Sequence, residues 1–248
     1  MTPTLRRRVL IAAALTLPLS FLAAPAAAQS VAGSGVMQTE SRPVSGFTAV
    51  QLEASMTVQI RQSGTEAVLV RADDNLLPLI ETFVESRGRE SVLVVRWKRW
   101  ANIRHSSRIE ITVDAIQLNA LSTSGSGEIT AGTLKADQLR LSVAGSGDIR
   151  VQDLAADQLV ASVAGSGDIR VGGRAATVKL SIAGSGDADL SALNADDVKV
   201  SIAGSGDASV SADQALSVSI AGSGDVRYGG RVTDVKTSIV GSGDVRRR

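Results

Sequence analysis

One phrase recurs through the second half of this chain and limits what it can fold into. Gly-Ser-Gly begins at Gly125, Gly145, Gly165, Gly184, Gly204, Gly222 and Gly241, in steps of 20, 20, 19, 20, 18 and 19 residues. The ten residues from Ser142 to Val151 are repeated without change from Ser162 to Val171. A fixed period of this length marks a stack of like units, each supporting the next. Positions two, four and six before the first glycines are mostly aliphatic, as in Leu139, Leu141 and Val143, or Val198, Val200 and Ile202. This alternation of period two describes a strand with one buried face. After the turn it resumes, with Ile149 and Val151 inward and Asp148 and Arg150 outward. The rest of each period must bring the chain back to its starting side.

Stacking like on like gives a parallel β-solenoid, and the handedness of parallel crossovers makes it right-handed. Seven coils at the inter-strand spacing form a section about 30 Å long. The repeat glycines mark a corner where the backbone needs positive φ or close approach. Only 2% of the residues are aromatic, so the core has to be aliphatic. The fold class is therefore all-β, a right-handed parallel β-helix over 121–248 with an irregular β-rich N-terminal cap and start of the solenoid over 29–120. Within the cap, strands are expected at 47–52, 56–61, 67–71, 91–97 and 109–113. A short helix over 76–82 is expected to be capped by Asp74 and to tolerate Pro78.

Residues 1–28 have the three parts of a secretory leader: Arg6 to Arg8, an apolar stretch over 9–22, and Ala26-Ala27-Ala28. The arginine pair also fits twin-arginine export, although an ordinary basic start explains it equally. Either route leads to an exported protein, periplasmic or at the cell surface. Without the leader's three arginines the formal charge changes from +1 to −2, which gives no global attraction for nucleic acid. There is no cysteine, so disulfides, thiol catalysis and a lipidated cysteine anchor are excluded. No apolar run after residue 28 approaches the roughly 18 residues that cross a bilayer.

The Gly-Ser-Gly-Asp repeats, with "RPVSGFTAVQL" from Arg42 and "ADDNLLPLIETFV" from Ala72, resemble the putative auto-transporter adhesin, head GIN domain family of secreted bacterial proteins over about residues 33–248. The resemblance implies a β-helical fold like that of pectin lyases, no recognised catalytic residues, and a role in adhesion. Glu128 departs from the repeat's aspartate, with no consequence for the fold.

The corner acids Glu128, Asp148, Asp168, Asp187, Asp207, Asp225 and Asp244 should stack about 5 Å apart, where carboxylates repel. Arg150, Arg170, Arg227 and Arg246, two residues further on, and backbone N–H groups at the corner are expected to offset this. Calcium is the alternative at Asp187 and Asp207, whose coils lack the arginine. However, calcium β-rolls repeat every nine residues or so and place aspartate differently. No cofactor is expected. Seven near-equivalent carboxylates single out no acid and nucleophile pair, and His105 is the only histidine, so a carbohydrate-active hydrolase or lyase is the second reading.

Arg96, Trp97, Lys98, Arg99 and Trp100 form the least repetitive candidate contact surface, suited to sugar faces, anionic polysaccharide or lipid headgroups. Alternatively, the tryptophans simply cover the first coil. Serines 122, 142, 162, 181, 201, 219 and 238 should form a flat face able to meet a partner or a second copy. Arg246, Arg247 and Arg248 fall where charge would discourage strand addition to the last coil. Together these features describe a non-enzymatic protein of adhesion or envelope interaction, with a cell-surface glycan or envelope component as partner.

Overall fold

Alternating aliphatic residues pair in register through the whole repeat. The computed structural model describes residues 30–88, 90–105 and 108–248, so the expected leader lies outside the described residues. Strands Ala120–Gly125, Glu128–Gly145, Asp148–Gly165, Ile169–Gly184, Ala188–Gly204, Ala208–Gly222 and Asp234–Gly241 stack in parallel, each first repeat glycine directly opposite the next. The result is a parallel β-solenoid of about six turns. Most strands run unbroken from one corner to the next, so the expected return segments are themselves paired. Leu134 lies opposite Leu154, and both are fully buried on a third side.

Inward columns such as Leu139, Leu159, Val178, Val198 and Leu216 fill the centre. Each of these side chains contributes about 1.5–3 kcal/mol by leaving water. The steps of 18 and 19 residues are absorbed on the third side, where register shifts fall between Val151 and Leu154, Arg170 and Gly173, and Leu190 and Asn194. The corner register stays unbroken. At that corner Gly204 has φ +136°, and a Cβ there would stand 2.1 Å from the Gly184 carbonyl oxygen. Both the conformation and the rung spacing therefore demand glycine.

The N-terminal region continues the same stack out of chain order. Ala49–Glu53 and Thr57–Gln62 pair in parallel with the repeat rung on one side, and with Glu90–Trp97 and Glu110–Ala115 on the other. The outer edge is then covered by antiparallel strands. Ile80–Arg87 pairs with Glu90–Trp97, and Ala67–Asp73 joins Met37–Arg42 to Glu110–Ala115. Covering an edge this way removes an exposed pairing template.

The five strands expected in the cap are present, as Ala49–Glu53, Thr57–Gln62, Ala67–Asp73, Glu90–Trp97 and Glu110–Ala115. The helix expected over 76–82 is reduced to one 3-10 turn, Leu77–Leu79, which Asp74 does not cap. Asp74 Oδ1 instead accepts from the Ser34 hydroxyl and the Asn75 N–H. The residues that would extend the helix begin strand Ile80–Arg87, where Ile80, Thr82 and Val84 are β-branched and find a full antiparallel partner. No helix among the described residues is long and apolar enough to cross a membrane.

Candidate functional site

Three surfaces concentrate the polar chemistry: the corner column, the flat face beside it, and an insertion at the foot of the column. In the column each aspartate serves the rung that follows. Asp148 Oδ1 accepts the Asp168 N–H at 3.2 Å, Asp168 that of Asp187 at 3.2 Å, Asp187 that of Asp207 at 2.8 Å, Asp207 that of Asp225 at 2.9 Å, and Asp225 that of Asp244 at 3.0 Å. A carboxylate bonded to the next rung's backbone ties two coils together and offsets part of the repulsion along the column.

Arginines add to this unevenly. Arg150 bridges Asp148, at 2.9 Å, and Glu128; Arg170 lies 3.6 Å from Asp168; and Arg246 pairs with Asp244. Arg227 departs from the expectation, making no ion pair among the described residues. It lines a shallow groove of about 190 Å³ with Arg170, Asp187, Asp189 and Asp207. Its aspartate, Asp225, is bonded to the Asp244 N–H instead. The Ser191 hydroxyl and N–H hold the Asp189 carboxyl below the usual carboxylate range, with help from Arg170 and Arg248. The Arg246 guanidinium does the same to Asp244. No group of three or more metal-ligating side chains occurs among the described residues, including around Asp187 and Asp207.

The flat face is built from outward columns in exact strand register. Ser122, Ser142, Ser162, Ser181, Ser201, Ser219 and Ser238 form one column. Two residues earlier runs a second column of Arg140, Val160, Lys179, Lys199, Ser217 and Lys236. Arg140 pairs with Glu90, and Lys236 lies 3.6 Å from Asp234. Lys179 and Lys199 have no ion partner among the described residues. Above Ser217 and Ala215 the column is notched by a groove of about 270 Å³, walled by Lys199 and Lys236. Periodic reading of the sequence picks out the serines. It also places Arg140, Lys199 and Lys236 between the aliphatic positions, and the register adds Lys179 and shows Val160 and Ser217 interrupting their column.

The candidate contact residues 96–100 do not act as one group. Arg96 bonds Glu81 at 2.9 Å and lies 4.9 Å above the Phe83 ring. Arg96 and Lys98 line a shallow groove of about 600 Å³ with Arg42, Pro43 and Phe83, and neither Arg42 nor Phe83 stands out in the sequence as a contact residue. Trp97 is half-buried against the core, as the covering role anticipates. Trp100 is not, being 69% exposed beside the exposed Arg99. His105 lies in strand Asn102–His105, which pairs with Ser30–Ala32.

The foot of the corner column is Glu110, which lies under Thr57 as Thr57 lies under Glu128. Neither Glu110 nor the rung above it belongs to a glycine repeat. Its signal is the spacing of Leu52-Glu-Ala-Ser-Met-Thr57, identical to that from Thr123 to Glu128, with Ala54-Ser55-Met56 at the place of Gly-Ser-Gly.

These features define the class as a capped parallel β-solenoid with a polar corner column. The chain belongs to the family described as "Putative auto-transporter adhesin, head GIN domain", whose model matches residues 46–232, a narrower span than the resemblance read from the sequence. Solved structures share the fold. A putative adhesin from Bacteroides fragilis NCTC 9343 is 23% identical with a TM-score of 0.81, covering 88% of this chain and 100% of that one. A putative lipid binding protein from Parabacteroides distasonis ATCC 8503 is 25% identical with a TM-score of 0.73, covering 89% and 100%. A putative adhesin from the same strain is 25% identical with a TM-score of 0.69, covering 89% and 100%. No curated protein matches the chain. The family and these neighbours are described as adhesins or as lipid-binding, not as enzymes, and an adhesin-like family implies an exported or surface location.

Proposed function

We propose that this chain is a non-enzymatic exported protein that binds a cell-surface glycan or envelope component through its flat face. The observation that carries the reading is the in-register array of serine hydroxyls beside Lys179 and Lys199, whose ammonium groups have no ion partner among the described residues. Side chains fixed on paired strands lose little freedom when a partner is laid across them. The family and the adhesin-like neighbours support the same reading. A hydrolase or lyase receives no comparable support, because Asp148, Asp168, Asp187, Asp207 and Asp225 are each bonded to the next rung's backbone.

The test is an array of bacterial and host glycans and envelope components, probed with the protein and with a Ser162→Arg, Ser201→Arg variant that roughens the face. Binding lost in the variant at unchanged melting temperature is the expected result. Release of reducing ends from any polysaccharide, abolished by one aspartate substitution, would establish the enzymatic reading instead.

A further inference from the structure

From residue 120 onward three residues close each corner, and Ala54, Ser55 and Met56 close the one below. The outermost parallel rung differs. Val95 lies under Leu52 and Glu110 under Thr57, so the sequence runs fourteen residues, 96–109, between these two rung positions, where the next rung needs four, 53–56. This insertion holds Arg96, Lys98, Arg99, Arg104 and Arg108 and no acid. Arg96 is committed to Glu81 and Arg108 lies 3.6 Å from Glu110, whereas Lys98, Arg99 and Arg104 have no carboxylate partner among the described residues.

The indole of Trp100 is 69% exposed, with Lys98 Nζ 5.9 Å from its ring. It is presented by a bonded turn, since the Lys98 N–H donates to the Leu79 carbonyl at 2.8 Å and the Ala101 N–H to the Lys98 carbonyl at 2.9 Å. Ser30 lies opposite Asn102 in the small parallel pair, so the strand Ser30–Ala32 lies beside this insertion.

An exposed tryptophan among unpaired cations is the composition of a membrane-interface contact: the ring prefers the headgroup zone and the cations prefer an anionic leaflet. A long polyanion is a poorer fit. The column of Glu128, Asp148 and Asp168 rises from the same corner and would repel a polymer lying along it, whereas a bilayer surface can meet the exposed Arg99 and Trp100 without lying along that column. We infer that the insertion docks the N-terminal end of the solenoid on an anionic lipid bilayer, with Trp100 among the headgroups and Lys98, Arg99 and Arg104 against their anionic groups. The inference goes beyond the adhesive reading, which uses the flat face.

The test takes the chain from Gln29 onward, which contains the whole described fold, and floats it with vesicles of phosphatidylcholine alone or with about 30% phosphatidylglycerol, anionic lipid supplying the negative surface potential. Binding is expected to the anionic vesicles, to weaken as salt rises, and to shift tryptophan emission to the blue. The Lys98→Ser, Arg99→Ser, Arg104→Ser variant should lose about a hundredfold in partitioning, at about fivefold per cation. Trp100→Ser should remove the emission shift. Should the triple variant fold poorly, Arg99→Glu alone, at an exposed turn position, should show a smaller loss in the same direction. The Ser162→Arg, Ser201→Arg variant should bind vesicles like the parent, which separates this result from the adhesive reading. Absence of binding, equal binding to neutral vesicles, undiminished binding by a folded triple variant, or displacement by alginate without any indole shift would each overturn the inference.

Discussion

Asp207 isolates what the corner column contributes, because its coil lacks an arginine two residues on and its carboxylate has one clear task. Its Oδ1 accepts the partly buried N–H of Asp225 at 2.9 Å, while its own N–H is held by Asp187 at 2.8 Å. Asp207→Ala removes the acceptor and orphans the Asp225 N–H, a loss of about 1.5–3 kcal/mol for a bond to a charged group. The same exchange relieves repulsion from Asp187 and Asp225. At a rung spacing of about 5 Å each neighbour costs about 0.8 kcal/mol in water, and physiological salt roughly halves that, so the relief is about 0.8 kcal/mol in all. Alanine should therefore destabilise by about 1–2 kcal/mol. Asp207→Asn keeps an oxygen acceptor and gains the same relief, so it should be close to neutral. Urea unfolding, with the slope of the transition checked for constancy, gives both values from the midpoint shift. The reasoning fails if alanine is as stable as the parent, or if asparagine costs as much as alanine. Raising salt should lower the asparagine variant relative to the parent, since screening the repulsion removes its relief and leaves only the weaker bond.

Gly204→Ala should prevent folding or cost more than about 4 kcal/mol, because it places a Cβ against the Gly184 carbonyl at positive φ, whereas Gly132→Ala, with nothing within 4 Å of its Cβ, should be neutral or slightly stabilising; thermal melts of both compare them directly. The lowered carboxyls of Asp189, of Asp244 and of Asp213, which accepts a bond from the Arg231 guanidinium at 2.9 Å, contribute stability that is present above the unfolded value and lost as pH falls through the folded one, so the urea midpoint should stay level from neutral pH to about 4.5 and decline only below about 4. A decline starting near pH 6 or so would contradict that assignment. Calcium should leave the melting temperature unchanged, and a rise that disappears in an Asp187→Asn, Asp207→Asn variant would show that those two coils hold the ion.

The repeat made the solenoid legible because its two signals are local and regular: period-two aliphatic residues and glycines at a fixed spacing. The rung at 49–62 obeys the same alternation but turns its corner with Ala54, Ser55 and Met56, so glycine periodicity passes over it. Its place between two rungs from later in the chain depends on long-range pairing that no local pattern encodes. The helix expectation over 76–82 failed for a related reason, since an antiparallel partner for Ile80–Arg87 outweighed a cap residue and a tolerated proline. Among the candidate contacts, Trp97 and Trp100 are indistinguishable as letters. Strand alternation turns Trp97 towards the core, and the turn at 98–101 carries Trp100 out of it.

The out-of-order rung has a consequence for how the molecule is assembled and how it comes apart. Strands Ala49–Glu53 and Thr57–Gln62 leave the ribosome early, yet their two neighbours are completed only after residues 115 and 131 have followed. The solenoid therefore cannot grow rung by rung from its first residue. Its starting block forms when a loop of some tens of residues closes back on itself, an entropic cost that slows initiation, after which the later coils add in sequence. In the finished molecule the same arrangement works as a lock. The outermost parallel rung at that end is an internal stretch of chain, so it has no free end from which to unravel, and opening that end requires the antiparallel cap and the loop to release together.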